Sequence, residues 1–287
     1  MPSGSLRAAL SIVVLLGASA AQADDAAPEA RSIWERRILE DAERETFTLT
    51  GARPSYLLYT VQSTPNREPY RFVGSAEQLS QREVKLQLSL QTKVASSLFG
   101  DNGDLWAAYT QVAYWQAPND AISSPFRESN HEPELFLSFL TDYRLLGWTG
   151  RSVSVGVVHQ SNGQSEPLSR SWNRVYADFQ FLRGPFAIGL RPWIRIREDP
   201  GEDDNPDIDD YLGHYEIRAS WELDRHLFSL MARNVFRRYN LELNWSFHIA
   251  GRLRGLVQLT SGHGENLIDY NHKNHRIGIG ILMSDWL

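Results

Sequence analysis

His159, Ser161 and Asn173 are the residues of this chain whose types and spacing point to chemistry. They follow an alternating segment, Val153-Ser154-Val155-Gly156-Val157-Val158. Residues i and i+2 of a strand share a face. Val153, Val155 and Val157 therefore form one apolar row, which His159 and Ser161 continue. Asn173 lines up in the same way with Val175, Ala177, Phe179 and Phe181 on the next alternating segment. The Asn162-Gly163 and Glu166-Pro167 region reads as the connection between the two. A His, a Ser and an Asn thus become neighbours on the apolar side of one hairpin. A hydroxyl nucleophile, an imidazole to take its proton and a third group to orient that imidazole make up the residue set of a serine hydrolase. No G-x-S-x-G elbow occurs, so the α/β-hydrolase signature is missing.

The elements that must position this set are strands. Segments of about ten residues alternate from Ser55 onwards: Ser55–Gln62, Glu83–Ser96, Leu105–Trp115, Pro133–Leu146, Gly147–His159, Ser171–Leu182, Phe186–Arg197, Tyr211–Leu223, Leu227–Arg233, Tyr239–Ile249, Leu253–Ser261 and Arg276–Leu287. That pattern predicts an all-β, 12-stranded antiparallel transmembrane β-barrel, or else a soluble sandwich or barrel. Aromatic residues at strand ends favour the membrane barrel: Trp106, Tyr109, Tyr114, Trp115, Tyr143, Trp148, Trp193, Tyr211, Tyr215 and Trp221. In the last segment Ile277, Ile279, Ile281 and Met283 oppose Gly278, Gly280 and Ser284, a greasy outside against a small or polar inside. Turns at Leu146-Gly147, Arg183-Gly184 and Asp224-Arg225 are short and read as periplasmic. Stretches 116–132, 160–170, 198–210, 234–238 and 262–275 read as the longer extracellular loops, which puts His159 and Ser161 at the outer rim.

The N-terminus sets the compartment. Arg7, the apolar run Ala8 to Ala20 and Ala21-Gln22-Ala23 read as a secretory signal peptide over 1–23. The apolar run is too short to span a bilayer, which takes about 20 residues. Residues 24–52 are charged and helix-tolerant, an N-terminal extension of short helix or loop, and 53–287 form the barrel. Cysteine is absent from the 287 residues and the net charge is −6, so disulfides play no part and no basic stripe suits nucleic acid.

Gln111 stands out on the Leu105, Ala107, Tyr109, Ala113, Trp115 face, where a lone amide in lipid needs a partner. Polar residues on a lipid-facing wall call for a functional reason, and His159 and Ser161 are two more.

Four separated blocks, in order, carry a family resemblance: Ser123-Ser124-Pro125-Phe126-Arg127-Glu128, His159 through Asn173-Arg174, Asp203-Asp204-Asn205-Pro206-Asp207, and Gly264-Glu265-Asn266-Leu267-Ile268-Asp269-Tyr270. On these the chain resembles the outer membrane phospholipase A family over most of its mature length. The resemblance implies a calcium-dependent hydrolase of glycerophospholipid and lysophospholipid acyl esters, with A1 and A2 activity, in a Gram-negative outer membrane. It implies activation by homodimerisation, with Gln111 at the contact. By the same resemblance Ser161 matches the nucleophile, His159 the base and Asn173 the group orienting that base. The Ser169 side chain, the Gln164 carbonyl and the partner's Ser123 carbonyl match calcium ligands, and Asp204 a further calcium position. Relatives commonly carry Arg where Gln164 stands and Asp where Glu166 stands, which leaves a second calcium site open. The reading from another class is a non-catalytic pore or structural barrel, with Arg174, Tyr176, Asp178 and Gln180 inside.

Overall fold

The computed structural model describes residues 32–283, apart from 74, 75, 124, 200 and 252. The signal peptide reading falls on residues outside these.

A short helix, α1 (Ile33–Glu43), precedes the strands. Ser32 caps it, its hydroxyl accepting from the Glu35 N–H at 3.3 Å. The strands are β1 (Tyr56–Gln62), β2 (Arg82–Ala95), β3 (Asp104–Trp115), β4 (Phe126–Leu145), β5 (Trp148–Ser161) and β6 (Ser171–Arg183). They continue as β7 (Phe186–Ile196), β8 (Tyr215–Leu223), β9 (His226–Arg233), β10 (Asn240–Ala250), β11 (Leu253–Gly262) and β12 (Asn274–Leu282). A second helix, α2 (Ile208–Leu212), sits in the loop before β8. Each strand pairs antiparallel with its sequence neighbours, and β1 pairs with β12, so all twelve close into a barrel. Closure leaves no sheet edge for lipid to desolvate.

Period two decides what faces where. Along β1, Tyr56, Leu58, Thr60 and Gln62 are buried inside, while Leu57, Tyr59 and Val61 are exposed outside. Val155, Val157, Val175, Ile194, Leu259, Ile277 and Ile279 extend the exposed apolar belt. Such a belt is unfavourable in water and favourable against acyl chains. Leu146 and Gly147, both with positive φ, close β4 onto β5 in a two-residue turn, as such hairpins require. Outside the barrel at this short-turn end, Phe186, Trp221, Phe228, Trp245 and Phe247 stack in sequence, with ring centroids 6.1, 5.6, 6.4 and 5.0 Å apart. Trp115 and Phe126 stack at the opposite rim, 5.4 Å apart.

The lumen is filled by charge pairs. Arg53 bridges Glu132 and Glu134; Arg191 bridges Glu134 and Asp178; Arg218 holds Asp178, and Arg233 holds Glu216. Arg127 and Arg276 share Glu83 nearer the long-loop end. A cavity of about 520 Å³ remains inside, lined in part by Trp34, Arg37 and Ile38 of α1. Trp34 packs on the inward Tyr56, Leu58, Leu227, Leu256 and Leu282, and Lys93 Nζ donates to the Ala42 carbonyl at 2.6 Å. Helix α1 therefore sits as a plug at the short-turn end.

Several boundaries and one aromatic assignment differ from expectation. β4 starts at Phe126, so the preceding loop is 116–125 rather than 116–132. Its first residues are polar on both faces, which hid the alternation. β5 runs on to Ser161, and β8 starts at Tyr215 because Tyr211 belongs to α2. β12 ends at Leu282, and residues 284–287 lie outside those described. Trp106, Tyr114 and Trp193 are buried inside the barrel rather than in a girdle. They have the opposite parity to the outward Tyr109 and Trp115.

Candidate active site

β5 and β6 pair with His159 opposite Asn173 and Ser161 opposite Ser171. Val158, Trp172 and Arg174, the neighbours of the first pair, are buried inside, so His159 and Asn173 both project outward. The exposed Val155, Val157 and Val175 lie just below them on the same wall. His159 Nδ1 and Asn173 Oδ1 are 2.8 Å apart. An amide oxygen only accepts, so Nδ1 carries the hydrogen and the Nε2 lone pair is free. Ser161 stands two residues along on the same face.

On the other side of β5, Ser161 is opposite His131 of β4. The His131 Nδ1 lies 2.6 Å from the Tyr109 hydroxyl. His131 lies before Pro133, where the sequence reading starts this strand; extending the alternation back by one residue pair reaches it. The β4–β5 ladder gives no partners for Glu132 and Pro133, between the His131–Ser161 and Glu134–Val158 pairs. Pro133 has no N–H to donate, and the interruption falls beside His159. Gln111 continues the row: Leu88, Gln111, His131, Ser161 and Ser171 lie opposite one another on β2 through β6. Gln111 shares the outward parity of Tyr109 and Trp115, two strands from Ser161 at the same height.

The 162–170 loop is organised by Asn162, which is 3% exposed. Its Nδ2 donates to the Leu168 carbonyl at 2.8 Å, and its Oδ1 accepts from the Gln164 and Arg170 N–H groups at 3.3 and 3.0 Å. Asn162 thus acts as the hub of the long loop expected at 160–170. The loop brings Ser169 to the 197–207 segment: Ser169 Oγ donates to Asp204 Oδ2 at 2.5 Å. Glu166 joins them, and the hydrogen bond with Asp204, together with the like charge, pushes its carboxyl above the usual range. The acidic segment is not simply a solvated loop. Asn205 is fully buried, accepting from the Ser171 N–H at 3.0 Å, and Asp203 pairs with Arg195 at 2.7 Å.

Two crowded carboxylates beside a hydroxyl are hard oxygen donors of the kind a calcium ion takes. Among the described residues no group of three or more His, Asp or Glu is arranged to hold a metal, so carbonyls, hydroxyls and water would complete the shell. Gln164 lies in the same loop. Ser123 lies elsewhere, at the end of the Asp120–Ile122 turn in the 116–125 loop. Ile122 and Leu168 pack against one cluster, Tyr70, Leu79 and Ile268, so the loops bearing Ser123 and Ser169 share a support.

Closed strands, an apolar outer belt and a charged, filled lumen define an integral outer-membrane β-barrel with a polar site on its outer wall. The chain belongs to the phospholipase A1 family, whose profile, described as Phospholipase A1, matches residues 31–283. Phospholipase A1 of Klebsiella pneumoniae is 40% identical over 260 residues, 90% of each chain. Outer membrane phospholipase A from Escherichia coli superposes with a TM-score of 0.82 at 39% identity, covering 87% of this chain and 98% of that one. The outer membrane phospholipase of Salmonella typhi, solved as a dimer with bound calcium, gives 0.82 at 38% identity over the same shares.

Proposed function

We propose that this protein is a calcium-dependent outer-membrane phospholipase. It hydrolyses acyl esters of glycerophospholipids and lysophospholipids, at both positions, through Ser161, His159 and Asn173. The observation that carries the reading is the 2.8 Å bond between His159 and Asn173 on the lipid-facing wall, with Ser161 next along that face. A lipid moving laterally in the outer leaflet meets this wall directly. His159 Nε2 takes the Ser161 proton as the oxygen attacks the ester carbonyl, and gives it to the leaving glycerol oxygen. Water then attacks the acyl-enzyme, with His159 again as base. Asn173 holds the imidazole in the tautomer both steps need.

Calcium, when bound, supplies Lewis-acid polarisation near the developing oxyanion. The Ser169 hydroxyl, the Gln164 carbonyl and Asp204 would hold it, with Ser123 of the partner subunit. The Ser169–Asp204–Glu166 arrangement supports that set. Hydrolysis of phospholipid by the refolded protein should stop on chelation and return when calcium is restored. Activity that persists in chelator would remove the metal from the reaction.

We also propose that the active form is a homodimer built on the Gln111 wall. Its position in the row through Ser161 supports this, because a second barrel docked there would complete a cleft over the site. Gln111→Ala should weaken association by about 1 kcal/mol, the scale of an interhelical or inter-barrel hydrogen bond in a membrane. The check is energy transfer between labelled protomers in micelles at several detergent ratios; equal transfer in parent and variant would place the contact elsewhere.

A further inference from the structure

Asn173 is neutral, and a neutral group stabilises an imidazolium less than a carboxylate does. It also has two ends that can exchange. An amide that turned its Nδ2 toward His159 would meet a bare Nδ1, and the imidazole hydrogen would move to Nε2. That tautomer has no lone pair for the Ser161 proton. Something must therefore fix which way Asn173 points.

The structure supplies it. Asn173 Nδ2 lies 2.8 Å from Oε1 of Glu198. Ile196, the last residue of β7, is opposite Asn173. Ile194 and Ile196 are exposed on the outer wall, and Glu198 follows in the same parity just past the strand end. We infer that Glu198 is a positioning residue that sets the Asn173 amide and, through it, the tautomer of His159. The inference rests on the hydrolase reading above.

The chemistry runs in one direction. An ionised carboxylate only accepts hydrogen bonds, so the end of Asn173 that faces Glu198 is the NH₂. The end that faces His159 is then the oxygen, which requires hydrogen on Nδ1. Nε2 is left with its lone pair, the acceptor that the proposed transfer from Ser161 requires. The bond from an amide to a carboxylate is charge-assisted and roughly twice as strong as a neutral one. It also polarises the bond behind it, so part of the negative charge that an aspartate would bring arrives through the amide. His159, Asn173 and Glu198 form one chain across β5, β6 and the end of β7.

Kinetics of four chains test this: the parent, Glu198→Gln, Asn173→Asp and the double variant, each refolded with calcium and assayed on a phospholipid in mixed micelles. Glu198→Gln should lower kcat about tenfold, which is ~1.4 kcal/mol, with KM unchanged. Asn173→Asp sets two carboxylates against each other and should fall further. Adding Glu198→Gln to Asn173→Asp then provides an amide NH₂ for the new aspartate, and kcat should rise above that of Asn173→Asp alone. A parent-like kcat in Glu198→Gln, or a double variant no better than Asn173→Asp, overturns the inference. The Ser161→Ala chain separates it from the reading beneath: activity surviving there removes Ser161 as the nucleophile and with it the Ser161–His159–Asn173 mechanism, whereas a dead Ser161→Ala with an unaffected Glu198→Gln removes only Glu198. Heat-modifiable mobility on electrophoresis reports whether each barrel has folded; Glu198→Gln exchanges one oxygen for an amide group at the rim, so folding is expected throughout.

Discussion

Ser161→Ala is expected to abolish ester hydrolysis while leaving the barrel intact. The hydroxyl is the only atom lost, and it sits on the outer wall at the end of β5, making none of the lumen's ion pairs. Nothing about the closed strand order depends on it. Removing the serine of a triad enzyme lowers kcat by ~10⁶, so a loss of at least about 10³-fold is expected. His159 should show a loss of the same order when changed to Ala, because the two act as one unit and their effects do not add. The measurement is initial-rate hydrolysis of a diacyl phospholipid at saturating calcium, alongside heat-modifiable mobility on electrophoresis. Folded Ser161→Ala protein with parent-like rates would end the nucleophile assignment. The lipid-facing polar set would then need another explanation.

The largest expected effect on stability lies inside the barrel, at Glu83. This carboxylate is fully buried on β2. Arg127 reaches it at 2.5 Å, Arg276 at 2.8 Å, and Gln116 Nε2 donates to it at 2.8 Å. Both guanidiniums are also buried, each with a second carboxylate: Asp269 for Arg127 and Glu265 for Arg276. Glu83→Ala therefore leaves two buried cations with one carboxylate each, and a cavity besides. Removing one member of a buried ion pair costs ~3–5 kcal/mol; with the second partners retained, a loss of about 3 kcal/mol is expected. Glu83→Gln keeps the shape and the acceptor oxygen and should lose less. The denaturant midpoint of the refolded barrel in detergent reports this. A midpoint equal to the parent's in Glu83→Ala would mean that the network around Glu83 adds nothing measurable to stability. The same network joins β2, β4 and β12 to the 263–273 loop through Asp269 and Glu265, so its loss should loosen the loops around Ser161 before the strands separate.

Much of the wall was legible from residue types alone. A period of two, read along Val153–Ser161 and along Asn173–Phe181, already put His159, Ser161 and Asn173 outside, because the pleat admits no other placement once the valines face lipid. The same rule, applied strictly, would have corrected the aromatic girdle. With Tyr109 and Trp115 outward, Trp106 and Tyr114 must be inward, where Lys93 and Lys85 lie over their rings at 5.4 and 5.6 Å. It would also have reached Glu198, two residues past Ile196. The start of β4 was harder to see. Inward Arg127, Asn130 and Glu132 are polar because the lumen is polar, and outward Ser129 and His131 are polar because they lie at the headgroup level, so the contrast that marks a strand vanishes there.

What one chain determines by itself is parity and periodicity, since both come from the geometry of a single extended backbone. What only the tertiary structure decided is which outward residues become neighbours. That depends on register between strands, and register is set by bulges, by Pro133 breaking a ladder, and by the closure of β12 onto β1. The pairing of His131 with Ser161, the reach of Glu198 to Asn173 and the meeting of Ser169 with Asp204 across 35 residues are all of this kind. Each brings together groups far apart in sequence, and no local preference encodes them.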